Sequence, residues 1–225
     1  MLAAYFPSLV HGASVTLALA FLALTIGLPV GLAAAFCGLS GKRFLRGLAD
    51  GYTLLNRGVP DLVLLLLVFY SLPDALNRLL ALLNVDLHLD FDPFVSAVVT
   101  LGAISGAYMS QTFRAAFLGV PRGQYESGLS MGMSKFNVAY RILLPQMFRI
   151  ALPGLTNNWL VLLKATALAS LIGLHDLMFS ARGASESTSL PFTFYAAAGF
   201  LYLAGTWASV FALRLLHQHL SKGLR

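Results

Sequence analysis

Long apolar blocks separated by short polar stretches set the pattern of this chain. Val10 to Phe36 carries no charged residue and exceeds the roughly 20 residues that cross a hydrocarbon core. Phe94 to Leu118, Ile150 to Gly173 and Phe192 to Leu216 are of similar length, each with a single basic residue, Arg114, Lys164 and Arg214. Leu62 to Leu72 differs: it is strongly apolar but about half the spanning length, and it lies between Asp61 and Pro73-Asp74. Upstream of it, Leu45, Leu48, Tyr52 and Leu55 recur at helical spacing within Phe44 to Asn56. The two pieces predict one discontinuous span interrupted at Arg57-Gly58-Val59-Pro60. Pro60 there suits a helix's first position, and Gly58 permits backbone angles a continuous helix does not use. The predicted fold is an all-α integral membrane protein of one domain, residues 1–225. Its spans are 10–36, 44–72 (broken near 57–60), 94–118, 150–173 and 192–216, with a polar loop at 119–149. Pro29 is a candidate kink in the first span. Leu174 to Pro191 reads as a polar external segment, and no internal repeat or low-complexity tract is visible.

Composition agrees with the pattern. The chain is 58% hydrophobic and 11% charged, against about a quarter charged in soluble domains. The net charge of +6 would suit nucleic acid, but its placement argues against that. Eleven of the fifteen Lys and Arg fall in segments predicted to be cytoplasmic, among them Lys42, Arg43, Arg46, Arg122, Lys135, Arg141, Lys222 and Arg225. Asn84 to Pro93 carries aspartates and no basic residue. This asymmetry places the N-terminus outside and the C-terminus in the cytoplasm. Met1 to Ser40 contains no Lys or Arg, so the basic start of a secretory signal is missing. Cys37, alone in an apolar run, reads as a small buried hydrophobe.

Several chemistries are illegible. The one Gly-Lys pair, Gly41-Lys42, is followed by Arg43 and lacks the upstream glycine of a phosphate loop. Energy for any transport must therefore come from another subunit or from an ion gradient. His217 and His219 read as a solvated pair in a tail rather than as metal ligands, and no Ser-His-Asp set appears.

The polar island from Gln124 to Pro145, QYESGLSMGMSKFNVAYRILLP, must lie in water between two apolar blocks. Arg122 to Met131 fits a short helix with Gly132 as its left-handed terminator. Gly128 costs that helix about 1 kcal/mol relative to alanine, and the small residues Ser127 and Gly128 leave a low surface for another protein. The order Glu126, Gly132, Ile142, Leu144, Pro145 resembles the coupling motif of importer-type permeases of ATP-binding-cassette transporters. That family usually has two alanines where Ser127 and Gly128 stand. The resemblance implies that Glu126, Ser127, Gly128, Gly132, Leu144 and Pro145 couple the chain to a cytoplasmic ATPase, with Glu126 most exposed to it.

Polar residues within the spans are the candidates for a translocation path, because helix breaks and buried polar groups are tolerated where they line a cavity. Asp61 is either a helix-start residue held by the dipole and paired with Arg57, or a carboxylate facing a cationic substrate. Arg57 can alternatively meet a substrate carboxylate. Arg114 can snorkel from the inner end of its span. Lys164, central in the fourth span, needs a partner or a wet cavity. Asn157 and Asn158 read as interhelical hydrogen-bonding groups or as substrate ligands.

The strings NRGVPDLVLLLLVFY from Asn56, GAYMSQTFRAAFLGVPRGQYESG from Gly106 and NNWLVLLKATALASLIGLHD from Asn157 are similar to polar-amino-acid permeases of the histidine and lysine-arginine-ornithine class. The likeness covers nearly the whole chain. It implies a five-helix importer subunit of the bacterial inner membrane that works by alternating access. The implied partners are a homologous second permease subunit, two copies of an ATPase that holds ATP and Mg, and a periplasmic amino-acid-binding protein. It implies no cofactor in the chain itself. Relatives often carry glutamate where this chain has Gln111, so selectivity for cations would fall on Asp61 or on the paired subunit. A self-sufficient ion-coupled carrier is the alternative of another class.

Overall fold

The computed structural model describes residues 2–83, 85 and 87–221. Asn84 and Asp86 of the loop expected to be external and the tail residues Lys222 and Arg225 lie outside them. The described chain is helical, and five stretches are long and apolar enough to cross a membrane: Leu2–Leu39, Asp61–Leu82, Pro93–Leu118, Lys135–Ile172 and Pro191–Leu215.

Two helices form the heart of the fold. Helix α1, Leu2–Leu39, starts eight residues before the expected Val10 and is helical through both Pro7 and Pro29. It packs along α5, Pro93–Leu118, which starts at an Asp92 cap whose side chain accepts the N–H of Val95. Small residues let the two backbones approach closely. A Cβ on Gly31 would stand 2.8 Å from the carbonyl oxygen of Gly106, and one on Gly27 would stand 3.1 Å from that of Gly102. Such contact replaces the hydrophobic drive that lipid removes. Around it Leu19, Ala23, Leu101 and Ile104 are buried with Leu64, Leu65 and Leu162 of neighbouring helices.

The helix break lies where the sequence places it, but the segment before it, 43–58, is not among the stretches long and apolar enough to cross a membrane. Helix α2, Arg43–Gly58, ends in the extended Val59, and Pro60 leads into α3, Asp61–Leu66. Proline forces the residue before it out of helical angles, so Val59 opens the joint. α2 packs on the inner part of α5: the Tyr52 hydroxyl donates to the Ala103 carbonyl, and Thr53 and Ser110 hydroxyls are 3.5 Å apart. Val59 sits with Leu101 and Ile104, so the joint stands beside the middle of α5.

The helix runs past the expected end at Leu72, so the other half of this span comes from its own continuation rather than from α2. α3 continues through a π turn, Leu67–Ser71, into α4, Leu72–Leu82, and Asp61–Leu82 alone is 22 residues long. Pro73 fails to stop it because the carbonyl it would oppose, that of Phe69, lies inside the wider π turn. The same device recurs after the polar island. There α6, Arg122–Ser130, is followed by α7, Lys135–Val138, a π turn at Ala139–Leu143, and α8, Leu144–Ala165. Pro145 opposes the carbonyl of Arg141, again inside a π turn. Ser134 caps this helix by accepting the N–H of Asn137. The helix that carries the fourth span therefore begins at Lys135, ahead of the expected Ile150, and ends in a 3₁₀ stretch, Thr166–Ile172.

The segment read as polar and external is a helix too. α9, Leu177–Thr188, is capped by Asp176 and buries Leu177, Ala181, Ala184 and Ser185. Its apolar side joins Leu9 of α1 and Phe194 and Ala198 of α10, Pro191–Ser221. Small and apolar residues at helical spacing among the serines carry that face.

Candidate functional site

A cavity of about 180 Å³ lies beside the joint of the second span. Asp61, the first residue of α3, faces into it with Ser105 and Tyr108 of α5 and Asn157, Asn158 and Ala165 of α8. Asp61 lies there because the Val59-Pro60 break starts a new helix at this level. A helix start favours a carboxylate through its unpaired N–H groups and dipole. Leu101, Ile104, Val161 and Leu162 make the remaining walls apolar. The lining is a carboxylate, two amides, two hydroxyls and aliphatic surface, and it suits a small polar solute with a cationic group.

A larger opening of about 500 Å³ is lined by Asp50, Thr53, Leu54, Arg57 and Gly58 of α2 and by Tyr108, Gln111 and Arg114 of α5. Arg114 pairs with Asp50 at 3.5 Å, so it is held by an acid on the neighbouring helix rather than only reaching for the interface. The guanidinium carbon of Arg57 lies 5.3 Å from the centre of the Tyr108 ring. The pairing of Arg57 with Asp61 does not occur among the described residues, and the two face different cavities. The broken backbone between them removes the i, i+4 geometry such a pair needs.

The structure thus brings Asp61 and Asn157 together and puts Arg57 and Gln111 in the adjoining opening. Lys164 joins neither group. It is exposed in the last turn of α8, where its charge lies near the helix's C-terminal carbonyls. Asn158 bonds across to α5, donating to the Thr112 hydroxyl at 3.0 Å. Asp50 escaped the sequence reading, and Tyr108 entered it only within the string from Gly106, with no role in a cavity. Tyr108 passes for another aromatic in a span, and the acid–base pairing of Asp50 with Arg114 joins residues far apart in the chain. Among the described residues no cluster of His, Cys, Asp or Glu could hold a metal ion.

The second candidate surface is the polar island. Gly132, at φ +78°, ends α6 by the motif its sequence predicts. The N–H of Gly132 donates to Leu129 and that of Met133 to Gly128. Glu126 and Ser127 are exposed on α6. Gly128 is not. It is buried against the chain itself, where a Cβ would stand 2.8 Å from Cγ2 of Val138 and 3.0 Å from Cδ1 of Ile142. The low surface at 128 therefore seats α6 on the start of the fourth span, and of the three residues 126–128 Glu126 and Ser127 face outward. Leu144 is packed beside the buried Met147 cluster, and Pro145 is exposed at the start of α8.

Residues 27–225 match the family described as binding-protein-dependent transport system inner membrane component. The chain is 44% identical over 217 residues to the histidine/lysine/arginine/ornithine transport system permease protein HisQ of Salmonella typhimurium, covering 96% of this chain and 95% of that one. It is 40% identical to the arginine ABC transporter permease protein ArtQ of Haemophilus influenzae over 91% of this chain and 89% of that one. To the octopine transport system permease protein OccQ of Rhizobium radiobacter it is 36% identical, over 96% and 92%. Among solved structures, an amino acid ABC transporter with histidines superposes with a TM-score of 0.82 at 30% identity, covering 97% of this chain and 96% of that one. The inward-facing MetNI methionine ABC transporter, at 16% identity and a TM-score of 0.68, shares the fold.

Proposed function

Since the chain belongs to the family of binding-protein-dependent transport system inner membrane components, we propose that it is the permease subunit of a bacterial ATP-driven importer for basic and polar amino acids. The histidine, arginine, lysine and ornithine class is the one its relatives name. The observation that carries this reading is the cavity in which Asp61 stands with Asn157 and Tyr108 beside the broken span. Asp61 receives the cationic group, Asn157 supplies amide bonds, and Gln111 and Arg57 line the way beyond. An octopine permease among the relatives keeps a basic opine within the same chemistry.

The chain is a transport component, and ATP hydrolysis belongs to a separate subunit. The assembly consists of this permease, a homologous HisM-like second permease, two copies of the ATPase with their ATP and Mg, and a periplasmic binding protein, all at the inner membrane. The charge asymmetry supports an external N-terminus and a cytoplasmic C-terminus, which puts α6 and Glu126 on the ATPase side. Nucleotide-driven closure of the ATPase pair then moves α6, and the spans alternate between outward-open and inward-open states. The test is reconstitution of the co-purified complex in vesicles with the binding protein enclosed or added outside. ATP-dependent accumulation of arginine or histidine is expected. Accumulation by this chain alone would overturn the reading.

A further inference from the structure

The Asp61 cavity and the Arg57–Arg114 opening share one lining side chain among the described residues, that of Tyr108. The ring is therefore the partition between them. Arg57 is the group placed to hold it: its guanidinium carbon is 5.3 Å from the ring centre, within the reach of a cation–π contact. The acid nearest to hand is engaged elsewhere, since Asp50 pairs with Arg114, and among the described residues Arg57 makes no ion pair. Its position in the chain matters equally. Arg57 ends α2 while Asp61 begins α3, and Val59-Pro60 between them is extended. A change in the angle of α2 at that joint moves Arg57 off the ring and leaves Asp61 in place.

We infer that Arg57 and Tyr108 are gating residues of the transport cycle, the ring closing the Asp61 cavity towards the opening lined by α2 and the guanidinium latching the ring. The inference rests on the reading of the Asp61 cavity as the translocation site. The contact is weak enough for thermal motion and the ATPase cycle to open it, and strong enough for an exposed guanidinium to change the open fraction about two- to fivefold.

The test uses the full complex in vesicles, with Cys37→Ser removing the chain's one cysteine and Ser105→Cys reporting from the cavity wall, where Ser105 is 5% exposed. A thiol reagent too polar to cross the bilayer is added on the ATPase side without ATP, and labelling of this subunit is followed by mass. Arg57→Gln and Tyr108→Leu are expected to speed labelling about two- to fivefold, whereas Tyr108→Phe, which keeps the ring face, stays near the parent rate. Size-exclusion elution of each variant complex confirms assembly. Equal rates in all assembled variants, or a Tyr108→Phe rate as high as that of Tyr108→Leu, would overturn the gate. Protection of Ser105→Cys by arginine reports separately on the cavity: its absence with the rate difference intact sinks the substrate reading and leaves the partition standing.

Discussion

Gly128 and Val138 are packed so closely that a methyl group on the glycine would stand 2.8 Å from the valine Cγ2. The contact fixes α6 to the first turn of the fourth span, so a movement of one is passed to the other. Gly128→Val is expected to weaken the seat by about 1–3 kcal/mol and to lower binding-protein-stimulated ATPase activity of the complex. Val138→Ala in the same chain should recover most of the loss. Full activity of the single variant would show that α6 needs no seat.

Glu126 is exposed and makes no ion pair among the described residues. Glu126→Lys should leave folding within about 0.5 kcal/mol of the parent and abolish stimulation of the ATPase by the loaded binding protein. Unchanged uptake would remove Glu126 from the docking surface.

Asp61→Asn removes the carboxylate of the cavity and keeps its shape. The substrate concentration giving half-maximal uptake is expected to rise about tenfold to a hundredfold for arginine, following the loss of a charge-assisted bond, and to change little for a neutral amino acid. Equal effects on both would assign Asp61 to the start of α3 alone.

Asp176, in the link between the fourth and fifth spans, is fully buried. Its Oδ1 accepts the N–H of Phe179, and its Oδ2 has no partner. Burial pushes the carboxyl up from 3.8 to about 6. The folded state therefore favours the protonated form, and the stability this contributes is present at low pH and lost as pH rises from about 4 through about 6. The full difference corresponds to about 3 kcal/mol. Thermal midpoints of the purified complex should fall across that window, and Asp176→Asn, which keeps an oxygen for the cap, should flatten the fall. An unchanged slope would show that Asp176 does not titrate there.

Gly31→Val drives a branched side chain into the carbonyl of Gly106. Because the obstacle is backbone, the α1–α5 pair must separate, at a cost of at least about 1–3 kcal/mol. A lowered midpoint in detergent is the expected outcome, and no change would mean that α1 shifts freely along α5.

Much of this was legible in local spacing. Gly132 ends α6 because a glycine six residues after Glu126 can adopt a left-handed backbone, and that requirement is visible in the sequence alone. The joint at Val59-Pro60 was equally plain, because proline acts on its immediate neighbour. What escaped depended on partners distant in sequence or on a change of helical winding. Pro73 and Pro145 look like stops until the π turns before them are seen. The orientation of Gly128 depends on Val138, ten residues away across a turn. The pairing of Asp50 with Arg114 and the contact of Arg57 with Tyr108 join helices whose register no single stretch encodes.

The two π turns each hold one residue more than ordinary winding would need. In regular α winding an added residue turns everything beyond it by about 100°, whereas the wide turn takes it up locally and the helix runs on through Leu72–Leu82. The turn at Ala139–Leu143 does the same for α8, which carries Asn157 to the cavity beside Asp61. The facing of that wall thus depends on an irregularity about four turns before it, and in the regular turns between Leu144 and Asn157, where no wide turn can absorb a change, length is as constrained as chemistry in the site.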